Sequence, residues 1–193
     1  MIFIHGIPAW FDARKPQDET PSNKAWIRWL SSQLLFHNIH PIVPDMPNMY
    51  FPNYRAWEKE LDRYKPDENT ILVGHSCGAG FLLHYLSKHR ITVKKLIFVA
   101  PWRGETVPMV RDLCDDEFWD YVIDRDLINR CTEGITLFCT TADVFIISAA
   151  VKEIMRRLPD TKRIILDRTH GHFGDSIKVF PEMLDEILEA VEE

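Results

Sequence analysis

Ile71-Leu72-Val73-Gly74-His75-Ser76-Cys77-Gly78-Ala79-Gly80 is the stretch that decides how the rest of the chain is read. Its first three residues are uniformly apolar, as in a strand buried on both faces, and Phe81, Leu82 and Tyr85 then follow at helical spacing. Between strand and helix lies G-x-S-x-G. A serine at the tip of so sharp a turn projects its hydroxyl from the sheet, close to the positive end of the following helix. Glycine at 74 and 78 removes the Cβ atoms that would collide where the chain doubles back. The backbone N–H of Cys77, free at the helix start, is placed to face a developing oxyanion. A phosphate-binding loop fits less well, because the Lys-Ser/Thr ending of a P-loop is missing. The bland alternative is a Gly-rich helix start with an incidental serine.

Outward from this turn, short apolar runs alternate with helix-patterned stretches, which predicts a parallel sheet covered on both faces. Strands are expected at about 1–5, 40–43, 70–74, 95–100, 135–140 and 163–166, and helices near 23–37, 54–64, 77–90, 148–158 and 177–192. The last carries Ile177, Phe180, Met183, Leu184, Ile187, Leu188 and Val191, a core-facing stripe. Residues 8–22, with Pro8, Pro16 and Pro21, read as a surface loop. Residues 101–134 are longer than a plain crossover needs and form either a small lid-like insertion or an extended helical connection.

A serine alcohol is a poor nucleophile until a base removes its proton. The final strand leads into Asp167-Arg168-Thr169-His170-Gly171-His172-Phe173-Gly174, which offers two imidazoles. His172 is preferred, because Gly171 and Gly174 let the chain fold back and Phe173 can pin the loop; His170 is the alternative. A metal site built from the two histidines with Asp167 or Asp175 is a third reading that His-x-His alone supports weakly. For the acid that orients the base, the loop after strand 135–140 offers Asp143, with Asp167 as fallback. Asp143 could instead cap the helix that follows. The second oxyanion donor is expected in His5-Gly6-Ile7 after the first strand, as the backbone N–H of Ile7. Trp10, Phe11, Trp102, Val144 and Phe145, near strand tips, are candidates for lining a small apolar acyl pocket; the alternative reading is that they are core or loop anchors.

The bulk composition sets outer bounds. With 193 residues, 46% hydrophobic and 27% charged, the chain fits one ordinary globular domain. No apolar run approaches the roughly 18 residues of a membrane span. A net charge of −6 argues against nucleic acid, whose phosphates reward clustered Lys and Arg. Met1-Ile2-Phe3-Ile4 is too short for a signal-peptide core. The four cysteines, Cys77, Cys114, Cys131 and Cys139, lack regular spacing and read as free thiols in a reducing compartment, so a cytoplasmic location is expected.

With those residues in hand, the chain resembles the small YdeN-like and retinoblastoma-binding-protein-nine-like serine hydrolases, a compact branch of the α/β-hydrolases. The matching pieces are Ile2-Phe3-Ile4-His5-Gly6, Trp26-Ile27-Arg28-Trp29-Leu30, Pro44-Asp45-Met46-Pro47, Gly74-His75-Ser76-Cys77-Gly78-Ala79 and Gly171-His172-Phe173. The resemblance implies a six-stranded, mainly parallel sheet in the order 2-1-3-4-5-6, a triad of Ser76, Asp143 and His172, and no metal or organic cofactor. The expected activity is cleavage of a small-molecule acyl substrate, an ester before an amide. The rival from another class is a protein-interaction module on a hydrolase scaffold, with the 101–134 insertion serving a partner.

Overall fold

In the computed structural model the described residues are 1–7, 22, 24–103, 114–141, 143, 145–166 and 177–192. Five strands form one wholly parallel sheet in the order β1-β2-β3-β4-β5: β1 Ile2–Ile4, β2 Ile71–His75, β3 Lys95–Val99, β4 Ile135–Thr140 and β5 Lys162–Leu166. Every residue of β2, β3 and β4 is buried, and successive strand side chains point to opposite faces, so both faces of the sheet are covered. Six α-helices are described: α1 Ala25–Phe36, α2 Tyr54–Asp62, α3 Cys77–His89, the short α4 Asp116–Trp119, α5 Phe145–Arg157 and α6 Pro181–Glu192.

Among the described residues the expected six strands are five. Segment 40–43 contributes a single parallel bridge, Ile2↔Ile42, rather than a strand. The Ile42 N–H donates to the Met1 carbonyl at 3.0 Å and the Phe3 N–H to the Ile42 carbonyl at 2.9 Å. Pro41 and Pro44 on either side lack the N–H that would extend the ladder. The bridge still lies where the second strand was expected, on the side of β1 away from β2. The chain therefore leaves β1 in one direction and returns to β2 on the other side of it. That reversal opens a crevice at the carboxyl ends of β1 and β2.

Local chemistry sets the helix ends. The Asn53 side chain accepts from the Ala56 N–H at 3.0 Å and caps α2. The helix expected at 177–192 starts instead at Pro181, whose fixed φ and missing N–H suit a first helical position, so Ile177 and Phe180 precede it. Phe180 is nevertheless buried, edge-on to Trp26 of α1 at 5.6 Å and to Phe138 of β4 at 5.0 Å. Trp26 also meets Phe3, and α1 with α6 covers that face. On the other face α3 lies against β2, and Trp57 of α2 packs on Phe81 and Phe118. Within the 101–134 segment, Phe118, Trp119 and Leu127 are buried in the core. Positions 104–113 lie outside the described residues. No helix among the described residues is long and apolar enough to cross a membrane, and all four cysteines are free and buried.

Two polar features are built into this core. Glu186 of α6 is only 3% exposed. Its carboxylate takes Lys95 Nζ at 2.8 Å, Lys162 Nζ at 2.6 Å and the Thr136 hydroxyl at 2.6 Å. Burial raises the Glu186 pKa, but the hydrogen bonds from Lys162, Lys95 and Thr136 outweigh it and the carboxyl sits below its usual range. Elsewhere His84 of α3 is stacked between Tyr54 at 3.8 Å and Tyr121 at 4.6 Å. Burial pulls its pKa down to about 4 from 6.5, against a weak hydrogen bond from Nδ1 to the Phe118 carbonyl.

Glu186→Ala strands a buried lysine without its counter-charge and is expected to cost about 3–5 kcal/mol in urea unfolding. A loss below about 1 kcal/mol would show that the cluster is solvated. His84 is neutral in the fold but protonates readily when unfolded. Its contribution is therefore complete above pH 6.5 and declines as the pH falls toward 4. Urea midpoints across that window should fall more steeply for the wild type than for His84→Phe, which keeps the stack without the titration.

Candidate active site

At the β2–α3 turn Ser76 adopts φ 56° and ψ −123°, a conformation that non-glycine residues avoid. The surrounding bonds hold it there. The Ser76 N–H donates to the Val99 carbonyl at 2.9 Å, and the Ser76 carbonyl accepts from Ala79 and Trp102 N–H groups, each at 3.1 Å. The tip of β3, the chain beyond it and the first turn of α3 thus all clamp one residue. Ser76 is partly exposed, whereas residues 71–75 and 77–86 around it are buried. The sequence-expected elbow is what forms.

Close approach of the β1 tip explains the glycines. A Cβ at Gly78 would lie 2.5 Å from both the Ile4 and His5 carbonyl oxygens, and one at Gly74 would lie 2.6 Å from the Ala79 Cα. A Cβ at Gly6 would lie 2.7 Å from Ser76 Cβ and 3.2 Å from Ser76 Oγ. The His-Gly turn after β1 therefore sits directly against the serine, in the crevice where the chain reverses across β1.

The two amides expected to face an oxyanion belong to Ile7 and Cys77, the residues that follow Gly6 and Ser76, which lie against each other. The Cys77 thiol is fully buried, and burial pushes its pKa up to about 12; hydrogen bonds from the backbone N–H groups of Ile7 and of Cys77 itself pull the other way.

His5 was not assigned a role from sequence, and it occupies the centre of this arrangement. It is fully buried. Its Nε2 accepts the Met46 N–H at 2.9 Å, and its Nδ1 lies 2.8 Å from the Gly6 carbonyl. An amide nitrogen can only donate and a carbonyl only accept, so the proton resides on Nδ1. Burial lowers the His5 pKa, with Lys24 adding to that and Gly6 and Asp45 opposing it. With both ring nitrogens engaged, His5 has no lone pair left to act as a base toward Ser76.

Asp143 follows the tip of β4. Its Oδ2 accepts the Thr140 N–H and its Oδ1 the Thr140 hydroxyl, both at 2.8 Å. These bonds close a turn back onto β4. Each carboxylate oxygen keeps a second lone pair for another donor. Trp102 is buried against Trp119, ring centroids 5.2 Å apart, and its carbonyl would lie 2.5 Å from a Cβ at Gly80. Phe145 opens α5. The remaining sequence-derived positions, Trp10, Phe11, Val144, Asp167, His170, His172 and Asp175, lie outside the described residues.

The model of the α/β-hydrolase fold family matches residues 1–124. The chain belongs to that family. Among solved structures, the α/β-hydrolase resembles the ydeN gene product of B. subtilis over 100% of its own length and 98% of that chain, at TM-score 0.81 and 22% identity. Est1E from Butyrivibrio proteoclasticus matches at TM-score 0.67 and 16% identity, covering 100% of this chain and 88% of that one. A putative yden-like hydrolase from Pectobacterium atrosepticum matches at TM-score 0.59 and 18% identity, over 100% and 90% of the two chains. At such identities the likeness is one of fold. No curated protein sequence matches this α/β-hydrolase significantly.

Gly78→Ala puts a methyl group into two backbone carbonyls that cannot move independently of β1. It is expected to destabilise the α/β-hydrolase by about 2 kcal/mol or more in denaturant titration. A cost under about 0.5 kcal/mol would show that β1 and α3 are farther apart than described.

Proposed function

We propose that this α/β-hydrolase is a cytoplasmic serine hydrolase that cleaves a small carboxylic ester through an acyl-enzyme on Ser76. The observation that carries the reading is Ser76 itself. It is held at φ 56° on a strand-to-helix turn, partly exposed within a buried run, with the β1 glycine turn against it. Strain of about 1–3 kcal/mol at one residue persists only where the surroundings impose it, and such sites cluster at functional positions. Est1E, a neighbour by fold, has been solved with ferulic acid, a carboxylic acid, bound. Four buried free thiols accord with a reducing compartment.

In this scheme His172 takes the Ser76 proton as Oγ attacks the carbonyl carbon, and Asp143 accepts the other imidazole N–H and steadies the imidazolium. The carbonyl oxygen becomes an oxyanion and receives hydrogen bonds from the Ile7 and Cys77 amides. The C–O bond to the leaving group then breaks, and that oxygen takes the proton from His172. Water attacks the acyl-enzyme with His172 again as base, and the carboxylic acid departs as Ser76 regains its proton. No metal or cofactor is needed for any step. Trp10, Phe11, Val144 and Phe145 are proposed to shape the acyl pocket, with Trp102 behind it.

Intact-mass analysis after fluorophosphonate treatment tests the reading, because an activated serine displaces fluoride from phosphorus and retains the phosphonyl group. One adduct is expected on wild type and none on Ser76→Ala, whose turnover of a short-chain ester should fall by at least about a thousandfold. A folded wild type that forms no adduct would overturn the assignment in favour of an interaction module.

A further inference from the structure

Gly6 presents a conflict. Its closeness to Ser76 forbids a side chain, since a Cβ would lie 2.7 Å from the serine Cβ. Yet glycine is the residue least able to hold a peptide group in one orientation, because both of its backbone dihedrals are soft. The Gly6–Ile7 peptide carries the N–H that the proposed mechanism points at an oxyanion. An oxyanion donor helps only if it is already aimed before the charge forms.

We propose that His5 is the positioning residue that aims the Ile7 N–H, by holding the Gly6 carbonyl of the same peptide in a fixed direction. This rests on the serine-hydrolase reading above. A trans peptide sets its C=O and N–H in opposite directions, and no cis bond occurs among the described residues. The Nδ1–H of His5 draws the Gly6 oxygen toward the ring at 2.8 Å. The attached Ile7 N–H is thereby turned away from the His5 ring, at the residue that follows the Gly6–Ser76 contact.

Two further contacts fix the imidazole. The Met46 N–H occupies Nε2 at 2.9 Å, which forces the proton onto Nδ1 and keeps that nitrogen a donor. Trp57 stands edge-on to the ring at 5.9 Å, and its own Nε1 is anchored on the Pro47 carbonyl at 2.7 Å. The segment after the Ile42 bridge, through Met46 and Pro47, thus orients the β1 turn through one buried histidine. Flipping the Gly6–Ile7 peptide would leave Nδ1–H without an acceptor in a fully buried position.

Two substitutions separate the two bonds of His5. The amide of His5→Asn can place an N–H near the position of Nδ1 and still hold the Gly6 carbonyl, while abandoning Met46. The longer His5→Gln can offer its oxygen to the Met46 N–H but supplies no donor at the Nδ1 position. Both give up aromatic packing on Trp57, so both are expected to lose stability to a similar degree. Fluorophosphonate labelling rates and kcat/KM for p-nitrophenyl acetate should part them. His5→Gln is expected to fall by about a hundredfold, near the effect of removing an oxyanion donor, and His5→Asn to stay within about tenfold of wild type. Equal losses in the two variants, or full reactivity in His5→Gln, would make His5 a packing residue and overturn the proposal. A measurement on unaltered protein needs neither variant to fold: nitrogen NMR of labelled histidine should show His5 neutral with the proton on Nδ1. A proton on Nε2 overturns the proposal even where Ser76 is reactive. A wild type that is not labelled at all overturns the serine-hydrolase reading, and this proposal with it.

Discussion

The contact on which the rest of the molecule depends is the approach of the β1 tip to the β2–α3 turn. Ile4 and His5 present their carbonyls to Gly78 so closely that one methyl group between them would overlap both. That proximity lets two segments some seventy residues apart in sequence share one small volume, with Gly6 on one side and Ser76 on the other. Its origin is topological. Ile2 pairs with Ile42 on one side and Leu72 on the other, so the chain reverses across β1 and leaves a crevice at the strand ends. Parallel strands pointing the same way deliver both turns to that crevice together.

The opposite end of the sheet carries a different kind of constraint. Lys95 begins β3, Lys162 begins β5, and Thr136 lies near the start of β4; all three meet Glu186 from α6. A buried carboxylate with three donors fixes the register of α6 against the sheet more sharply than apolar contact does, because losing any partner leaves a charge or dipole unsatisfied. The strained serine sits at the carboxyl ends of the strands, and this ion cluster at their amino ends. Strain at Ser76 can be tolerated because the scaffold that imposes it is anchored elsewhere.

Much of this was legible in the sequence, and the failures have physical causes. The runs Ile71–Val73, Leu96–Val99 and Ile135–Phe138 are uniformly apolar or β-branched, and the central strands do include them. The elbow was legible because its steric demands fall on neighbouring residues and so leave a local pattern. Segment 40–43 read as a strand because its side chains suit one, yet Pro41 and Pro44 limit it to a bridge. The start of α6 was read too early because Ile177 and Phe180 fit the apolar stripe, although Pro181 marks the first helical position. His5 escaped notice for another reason: its partner Met46 lies 41 residues away, and nothing local in His5-Gly6-Ile7 announces the amide that fixes the ring. For Asp143 the bond to Thr140, three residues back, was available to inspection, but a carboxylate that closes a turn and one that orients a base carry the same sequence signal.

The two roles of Asp143 are chemically compatible. A carboxylate that accepts a backbone N–H and a hydroxyl from Thr140 has its plane fixed, and fixing costs side-chain entropy once, on folding. An orienting acid gains from being fixed in advance, since an imidazole that must recruit a mobile carboxylate gives up part of the benefit. The turn-closing bonds therefore do not compete with a role toward a base; they supply the rigidity that such a role requires. His5 follows the same logic on the other side of Ser76, where a flexible Gly6 peptide is steadied by a ring that is itself locked by the Met46 amide. In both places the group proposed to touch the reaction is held by a neighbour that does not.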